Sequence, residues 1–273
     1  MGILQAIVLG LVQGLTEFLP ISSTAHLRIV PALVGWEDPG AAFSAVIQLG
    51  TVVAVLAYFS KDLLRLTRAF VRGLAAKKPF EEPDARLAWF IGVATVPIVV
   101  CGLLFKKAIK GELRSLYVMA TSLIVMALVL FVAERLAKQS RELGSARLLD
   151  AVVVGLCQAV ALIPGSSRSG TTLTGALAMG FRREDAARFS FLLSIPATAA
   201  AGLYELKDFF AETHKPPVVA LVVATVVAFA SGWVSIAGLL RFLRTRSTLV
   251  FVIYRVGLGL LLFGLLSAGV LEP

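Results

Sequence analysis

Apolar runs close to the ~20 residues that a helix needs to cross a bilayer recur along the chain at 41–59, 87–105, 116–133, 187–205, 217–240 and 249–270. Six membrane-crossing helices are expected from them. Two further apolar segments, 1–38 and 149–180, behave differently, because polar side chains and chain breakers interrupt them. The first carries Gln13 to His26, which reads Q-G-L-T-E-F-L-P-I-S-S-T-A-H. Pro20 removes a backbone donor and disfavours helical geometry at Leu19, so this segment should break near its middle and turn. The second carries Ile163 to Thr172, I-P-G-S-S-R-S-G-T-T, with a proline and two glycines. Irregular backbone at membrane depth survives only where protein buries it or a wet cavity solvates it. A kinked transmembrane helix with back-bonded hydroxyls is the plainer reading of either segment.

The distribution of charge separates the two readings. The chain has 273 residues, 58% of them hydrophobic and 16% charged, with a net charge of +9 and a mean hydropathy of +0.88. A net positive charge is compatible with nucleic acid, but here the charge alternates between loops. Segments 60–86, 134–148, 180–188 and 241–248 together hold seventeen basic residues, whereas 106–115 and 206–216 hold six. By the positive-inside rule the first set is cytoplasmic. Segments 1–38 and 149–180 must then each enter and leave on one side, as re-entrant helix-loop-helix hairpins, with both termini on the extracytoplasmic face. Nucleic acid is not expected as a partner. The N-terminus lacks the basic region and cleavage site of a removable signal peptide, so the first segment is expected to stay in the mature protein. Cys101 and Cys157 lie in apolar sequence and read as packing residues. His214, in a polar loop, reads as solvated.

Short internal matches occur in the same order in both halves. Gly10-Leu11-Val12-Gln13 returns as Gly155-Leu156-Cys157-Gln158, and Pro20-Ile21-Ser22-Ser23 as Pro164-Gly165-Ser166-Ser167. Phe43-Ser44 with Tyr58 corresponds to Phe189-Ser190 with Tyr204, and Val93-Ala94-Thr95 to Val223-Ala224-Thr225. Repeat one covers about 1–135 and repeat two about 145–273 of a single membrane domain, 1–273. Each repeat has one hairpin and three spans, an odd number of crossings, so the second is inverted. In such proteins the polar site lies where the broken segments meet.

The interrupted segments carry the candidate chemistry. Gln13 and Glu17, spaced i,i+4, share a helix face. An ionisable residue at membrane depth is a functional candidate by default. After the break come Ser22, Ser23, Thr24 and His26. Serine, imidazole and carboxylate are the parts of an activated nucleophile, and Ser23 with His26 as general base and acid is the expected pair. Attack by a water activated by His26 is the rival route. In the second segment Gly165 and Gly170 let backbone amides approach a ligand, Ser167, Ser169 and Thr172 supply hydroxyls, and Arg168 supplies a fork-shaped cation. With a helix starting at or after Ser169, this describes an anion cradle suited to phosphate. Arg255, about 10 Å into the last span at the helical rise, fits ligand contact and snorkelling equally.

The pair of motifs, Q-G-L-T-E-F-L-P-I-S-S-T-A-H with P-G-S-S-R-S-G-T-T, resembles the undecaprenyl-diphosphate phosphatase family, also called bacitracin resistance proteins. The resemblance covers essentially the whole chain. It implies an all-α integral membrane protein of the bacterial inner membrane, with inverted repeats whose two re-entrant loops form the site. It further implies hydrolysis of a C55 lipid diphosphate to the monophosphate, recycling the carrier for peptidoglycan synthesis. The residues it implicates are Glu17, Ser22, Ser23, Thr24, His26, Ser167, Arg168, Ser169 and Thr172. Some family members carry glutamate where this chain has Gln13. Glu17, helped by the Gln13 amide oxygen, is expected to hold a divalent cation, Mg²⁺ or Ca²⁺. The expected partners are the polyprenyl diphosphate and membrane lipids, with a homodimer left open. A transporter or flippase of a phosphorylated lipid is the alternative, because inverted repeats and broken helices serve transport as well.

Overall fold

A computed structural model describes residues 1–38, 40–211 and 216–271; the expectation placed on His214 lies outside the described residues. The described chain forms twelve α-helices: α1 (Ile3–Phe18), α2 (Ser23–Val34), α3 (Gly40–Tyr58), α4 (Ser60–Ala75), α5 (Pro83–Leu104), α6 (Lys106–Lys110), α7 (Leu116–Leu136), α8 (Leu148–Val160), α9 (Arg168–Ala178), α10 (Arg183–Ala211), α11 (Val218–Leu243) and α12 (Leu249–Ser267). Among them α5, α7, α10, α11 and α12 are long and apolar enough to cross a bilayer, and the bent pair α3–α4 brings the total to six at most. Their outward faces are apolar, as at Leu104, Leu136 and Val218, each at least 73% exposed. Such a belt suits lipid and not water, and the chain is a multi-pass membrane protein.

The segment 60–86, taken as a charged loop, is instead largely helical. In α4, Leu66, Ala69 and Gly73 are buried, while Lys61, Arg65, Arg68 and Arg72 face outward. α4 turns away from the preceding helix by 72°. Basic residues at i, i+4, i+7 and i+11 left one side of the helix apolar, and counting charges alone hid that stripe.

Both interrupted segments break as expected. α1 ends at Phe18, and Leu19 before Pro20 is extended, with φ −66° and ψ 141°. α2 starts after Ser22, whose side chain accepts from the Ala25 amide. In the second segment α9 begins at Arg168, one residue earlier than expected, after Ser167, whose side chain accepts from the Gly170 amide. Both caps hold a left-handed backbone, φ 74° at Ser22 and φ 68° at Ser167. A non-glycine residue there costs about 1–3 kcal/mol, a strain that functional sites tend to hold.

Helices α1 and α8 pack by close approach of small residues. A methyl group on Gly10 of α1 would sit 2.5 Å from the Ala224 carbonyl oxygen of α11, and one on Gly155 of α8 would sit 2.7 Å from that of Ala94 in α5. Small residues at these crossings let the backbones meet where lipid supplies no hydrophobic drive. The largest buried cluster lies beyond the breaks, where Phe18 meets Phe191 edge-on at 5.3 Å. At the ends opposite the site, Glu134 caps α12 by accepting from the Thr248 amide and hydroxyl and from Arg183. Asp150 is held by Arg141 in a two-pronged pair at 2.8 and 2.6 Å.

Candidate active site

The two breaks meet around one carboxylate. Glu17 lies on the last turn of α1, one turn beyond Gln13, and is 5% exposed. Four donors from different parts of the fold converge on it. Its Oε2 accepts from Gln13 Nε2 at 3.0 Å and from Ser23 Oγ at 2.7 Å. Its Oε1 accepts from Arg168 at 2.7 Å and from Gln48 Nε2 of α3 at 3.0 Å. A carboxylate surrounded only by donors is ionised, and the guanidinium offsets the cost of burying it. Ser23, in the first turn of α2, therefore has an acceptor for its proton, and that acceptor is Glu17.

His26 is turned elsewhere. Its Nδ1 meets the Ser22 carbonyl oxygen at 2.7 Å, its Nε2 meets the Tyr254 hydroxyl at 2.6 Å, and its ring stacks on that of Tyr254. A carbonyl can only accept, so Nδ1 carries the proton and Nε2 accepts from Tyr254. The expected Ser23–His26 pair is not formed. Backbone geometry explains the difference: His26 stands four residues after Ser22, where the helix delivers its ring to the buried cap carbonyl.

The site opens into a cavity of about 310 Å³, within the range of small-ligand pockets. Gln13, Glu17, Ser22, Ser23, Thr24, Gly165, Ser167 and Arg168 line it. Its apolar wall includes Leu27, Ile98, Ile109, Leu162 and Ala197, and Arg28, Asp38 and Arg114 also border it. Thr198 faces the same cavity, and its hydroxyl is buried with no protein partner.

The remaining expected site residues stand behind this surface. Ser169 donates to the Leu19 carbonyl at 2.9 Å, tying one break to the other. The Gly170 amide is used by the Ser167 cap, and Thr172 donates to the Arg168 carbonyl at 2.7 Å and meets Ser190. Arg255, given equal weight as a ligand contact, is fully buried. It donates to the carbonyls of Ser166 at 3.0 Å, Gly165 at 3.1 Å, Pro20 at 3.3 Å and Ser122 at 3.3 Å. It is a clamp across both breaks and does not reach the cavity.

The donor set also bears on the expected cation. Gln13 presents its amide N–H, not its oxygen, to Glu17. Each oxygen of that carboxylate already accepts two hydrogen bonds. Among the described residues no three His, Cys, Asp or Glu side chains gather in a way that could hold a metal ion. A divalent cation at residues 13 and 17 would have to displace some of these donors and draw its remaining oxygen ligands from substrate and water.

Sequence reasoning missed Gln48 and Tyr254. Gln48 was visible as the one amide side chain within the run 41–59, and a polar group there needs a partner. Nothing local pointed to Tyr254.

Comparison with known proteins adds an independent finding. The family described as "Bacitracin resistance protein BacA" matches residues 6–261. The undecaprenyl-diphosphatase of Myxococcus xanthus is 63% identical over 273 residues, covering 100% of this chain and 92% of that protein. That of Chloroherpeton thalassium is 55% identical, covering 100% of this chain and 99% of the relative. Undecaprenyl-diphosphatase 2 of Streptomyces coelicolor is 49% identical over 98% of this chain and 96% of its own length.

Proposed function

This chain belongs to the bacitracin resistance protein BacA family, and from that premise we propose how its cavity removes the terminal phosphate of undecaprenyl diphosphate. The activity is that of a phosphatase, in line with relatives named undecaprenyl-diphosphatase. The observation that carries the mechanism is the hydrogen bond from Ser23 Oγ to Glu17, with Arg168 on the other oxygen of the same carboxylate.

Ser23 attacks the terminal phosphorus. Its proton passes to Glu17, a bond forms from Oγ to phosphorus, and the bond to the bridging oxygen breaks. The electron pair of that bond leaves on undecaprenyl phosphate. Phosphoryl transfer is accelerated mainly by positioning and by positive charge around the equatorial oxygens. Arg168, freed from Glu17 as the carboxylate takes its proton, turns its fork to those oxygens. The starts of α2 and α9, both opening at the breaks, add their partial positive charge. Glu17 gives the serine proton to the departing undecaprenyl phosphate and, ionised again, takes one from the water that attacks the phosphoserine; the proton returns to Ser23 Oγ as inorganic phosphate leaves. His26 and Tyr254 fix the turn that holds Ser22 and Ser23. A cation that accompanies the diphosphate would be held by substrate oxygens and screen their charge; no step here depends on it.

The finer architecture follows the same reading: six spans, two re-entrant hairpins (α1–α2 and α8–α9), and two inverted repeats in the inner membrane with both termini outside the cytoplasm. Its support is a reciprocal contact. Gly10 and Gly155 occupy matching positions, as do Ala94 and Ala224, and each glycine packs on the alanine of the opposite half. Such an exchange is what a two-fold relation between the halves would produce, and an odd number of crossings per half would put its axis in the membrane plane.

The test is release of inorganic phosphate from undecaprenyl diphosphate by the purified protein in detergent, where transport has no meaning. Stoichiometric phosphate with undecaprenyl monophosphate supports the reading; binding without release would turn it to transport.

A further inference from the structure

Arg28 is the only basic residue of α2, and neither it nor Arg114 has a part in the chemistry above. Both border the same cavity, Arg28 from α2 and Arg114 from the short turn Glu112–Arg114 that precedes α7. Their side chains are 32% and 30% exposed, and both reach one oxygen of Asp38, Arg28 at 2.9 Å and Arg114 at a looser 3.5 Å. The other Asp38 oxygen accepts from the Gly40 amide at 3.0 Å. Partly exposed ion pairs are worth about 0–1 kcal/mol, so stability alone is a weak reason to gather these three groups. Two guanidinium groups share one carboxylate, leaving one positive charge in excess, and the Arg114 contact is the looser of the two.

Their position relative to the reacting serine gives them a use. Arg28 stands five residues beyond Ser23 on α2, about 7.5 Å along the axis and about 140° around it, and both side chains line the cavity. A ligand whose terminal phosphoryl group lies between Ser23 and Arg168 carries its second phosphate one bridging oxygen away, toward the side where the lipid must leave. The apolar wall of Leu27, Ile98 and Ile109 runs from the same region.

We propose that Arg28 and Arg114 form a second anion subsite that holds the non-reacting phosphate of the lipid diphosphate, with Asp38 as the counter-ion it displaces. This inference rests on the reading above. It makes the pair the determinant of diphosphate over monophosphate recognition. When the bridging bond breaks, its electron pair goes to the oxygen of this same phosphate. Cations already in place there stabilise the leaving group, and forked guanidinium groups suit a phosphate better than a point charge does.

The experiment uses the purified full chain in detergent, with undecaprenyl diphosphate as substrate and inorganic methylenediphosphonate and inorganic phosphate as competing inhibitors. Arg28→Gln/Arg114→Gln is expected to raise KM at least tenfold. It should weaken inhibition by methylenediphosphonate at least tenfold, while inhibition by inorganic phosphate stays within twofold. The pair Arg28→Lys/Arg114→Lys, which keeps charge and tests folding, should recover part of both losses. Asp38→Asn should tighten methylenediphosphonate. A folded glutamine pair that keeps the wild-type KM, or that loses phosphate and methylenediphosphonate inhibition equally, would overturn the subsite. Failure of the wild type to release phosphate would instead remove the functional reading on which the subsite rests.

Discussion

Replacing Arg255 by methionine tests whether this side chain clamps the two breaks or binds substrate. The buried guanidinium makes two hydrogen bonds of ordinary length, to Ser166 at 3.0 Å and Gly165 at 3.1 Å, and two long ones of 3.3 Å to Pro20 and Ser122. A charge-assisted bond contributes about 1.5–3 kcal/mol, and the long pair counts for roughly half that each. The gross loss is then on the order of 5–9 kcal/mol. Against it stands the burial cost of a guanidinium, several kcal/mol, which methionine does not incur. The net is a destabilisation of about 2–4 kcal/mol, which at roughly 2–4 °C per kcal/mol lowers the melting temperature in detergent by roughly 4–16 °C. Catalysis falls too, because an ångström of slack between the breaks separates Ser23 and Glu17 from Arg168 and costs about a hundredfold in rate. The assay pairs thermal unfolding with steady-state kinetics: kcat should drop at least tenfold while KM stays within threefold. A raised KM with an unchanged melting temperature would refute the clamp and return Arg255 to substrate contact.

Glu17→Gln should lower kcat by about 10²–10⁴, the usual contribution of a general base, while the midpoint of any divalent-ion response stays where it is in the wild type; a shifted midpoint would make Glu17 a metal ligand after all. Arg168→Lys keeps a charge but loses the fork, so kcat/KM should fall at least tenfold, about 1.4 kcal/mol of transition-state stabilisation. Near-normal kcat/KM in that variant would reduce Arg168 to an ion-pair partner for Glu17. For topology, single cysteines at positions 77 and 107 should respond oppositely to an impermeant reagent on intact cells, with 107 labelled and 77 protected, and the reverse pattern would invert the protein.

The places where the sequence spoke clearly are those governed by local chemistry. Pro20 disfavours helical geometry at Leu19, and α1 does end at Phe18, although Pro31, Pro97 and Pro196 are held inside helices. The apolar runs are long enough that each reappears as a helix, although α5 and α10 begin four residues before their runs and α10 ends six after. Glu17 and Arg168 stood out because ionised groups in apolar sequence need each other, and they are paired across 151 residues. What failed depended on direction and not on spacing. Ser23 and His26, three apart, seemed made for each other, yet the cap carbonyl of Ser22 and the ring of Tyr254 claim the imidazole. Gln48, Tyr254 and Arg114 enter from distant segments, and no periodicity within those segments says what they face. For Arg255, depth along a helix is legible while rotation about it is not; its full burial and its carbonyl partners fit the clamp. In α4 the charges were read and the buried stripe of Leu66, Ala69 and Gly73 beneath them was passed over.

The account turns on Ser23 as the group that takes the phosphoryl, with Glu17 and not His26 receiving its proton. Rapid acid quench of the wild-type enzyme with undecaprenyl diphosphate, followed by peptide mass spectrometry, tests this most directly. The account predicts a phosphate on Ser23 within the first turnover, its loss in Ser23→Ala together with nearly all activity, and its persistence at a reduced rate in His26→Ala. An unmodified Ser23 at every quench time, with Ser23→Ala turning over within tenfold of wild type and His26→Ala inactive, would contradict the account and assign the attack to water.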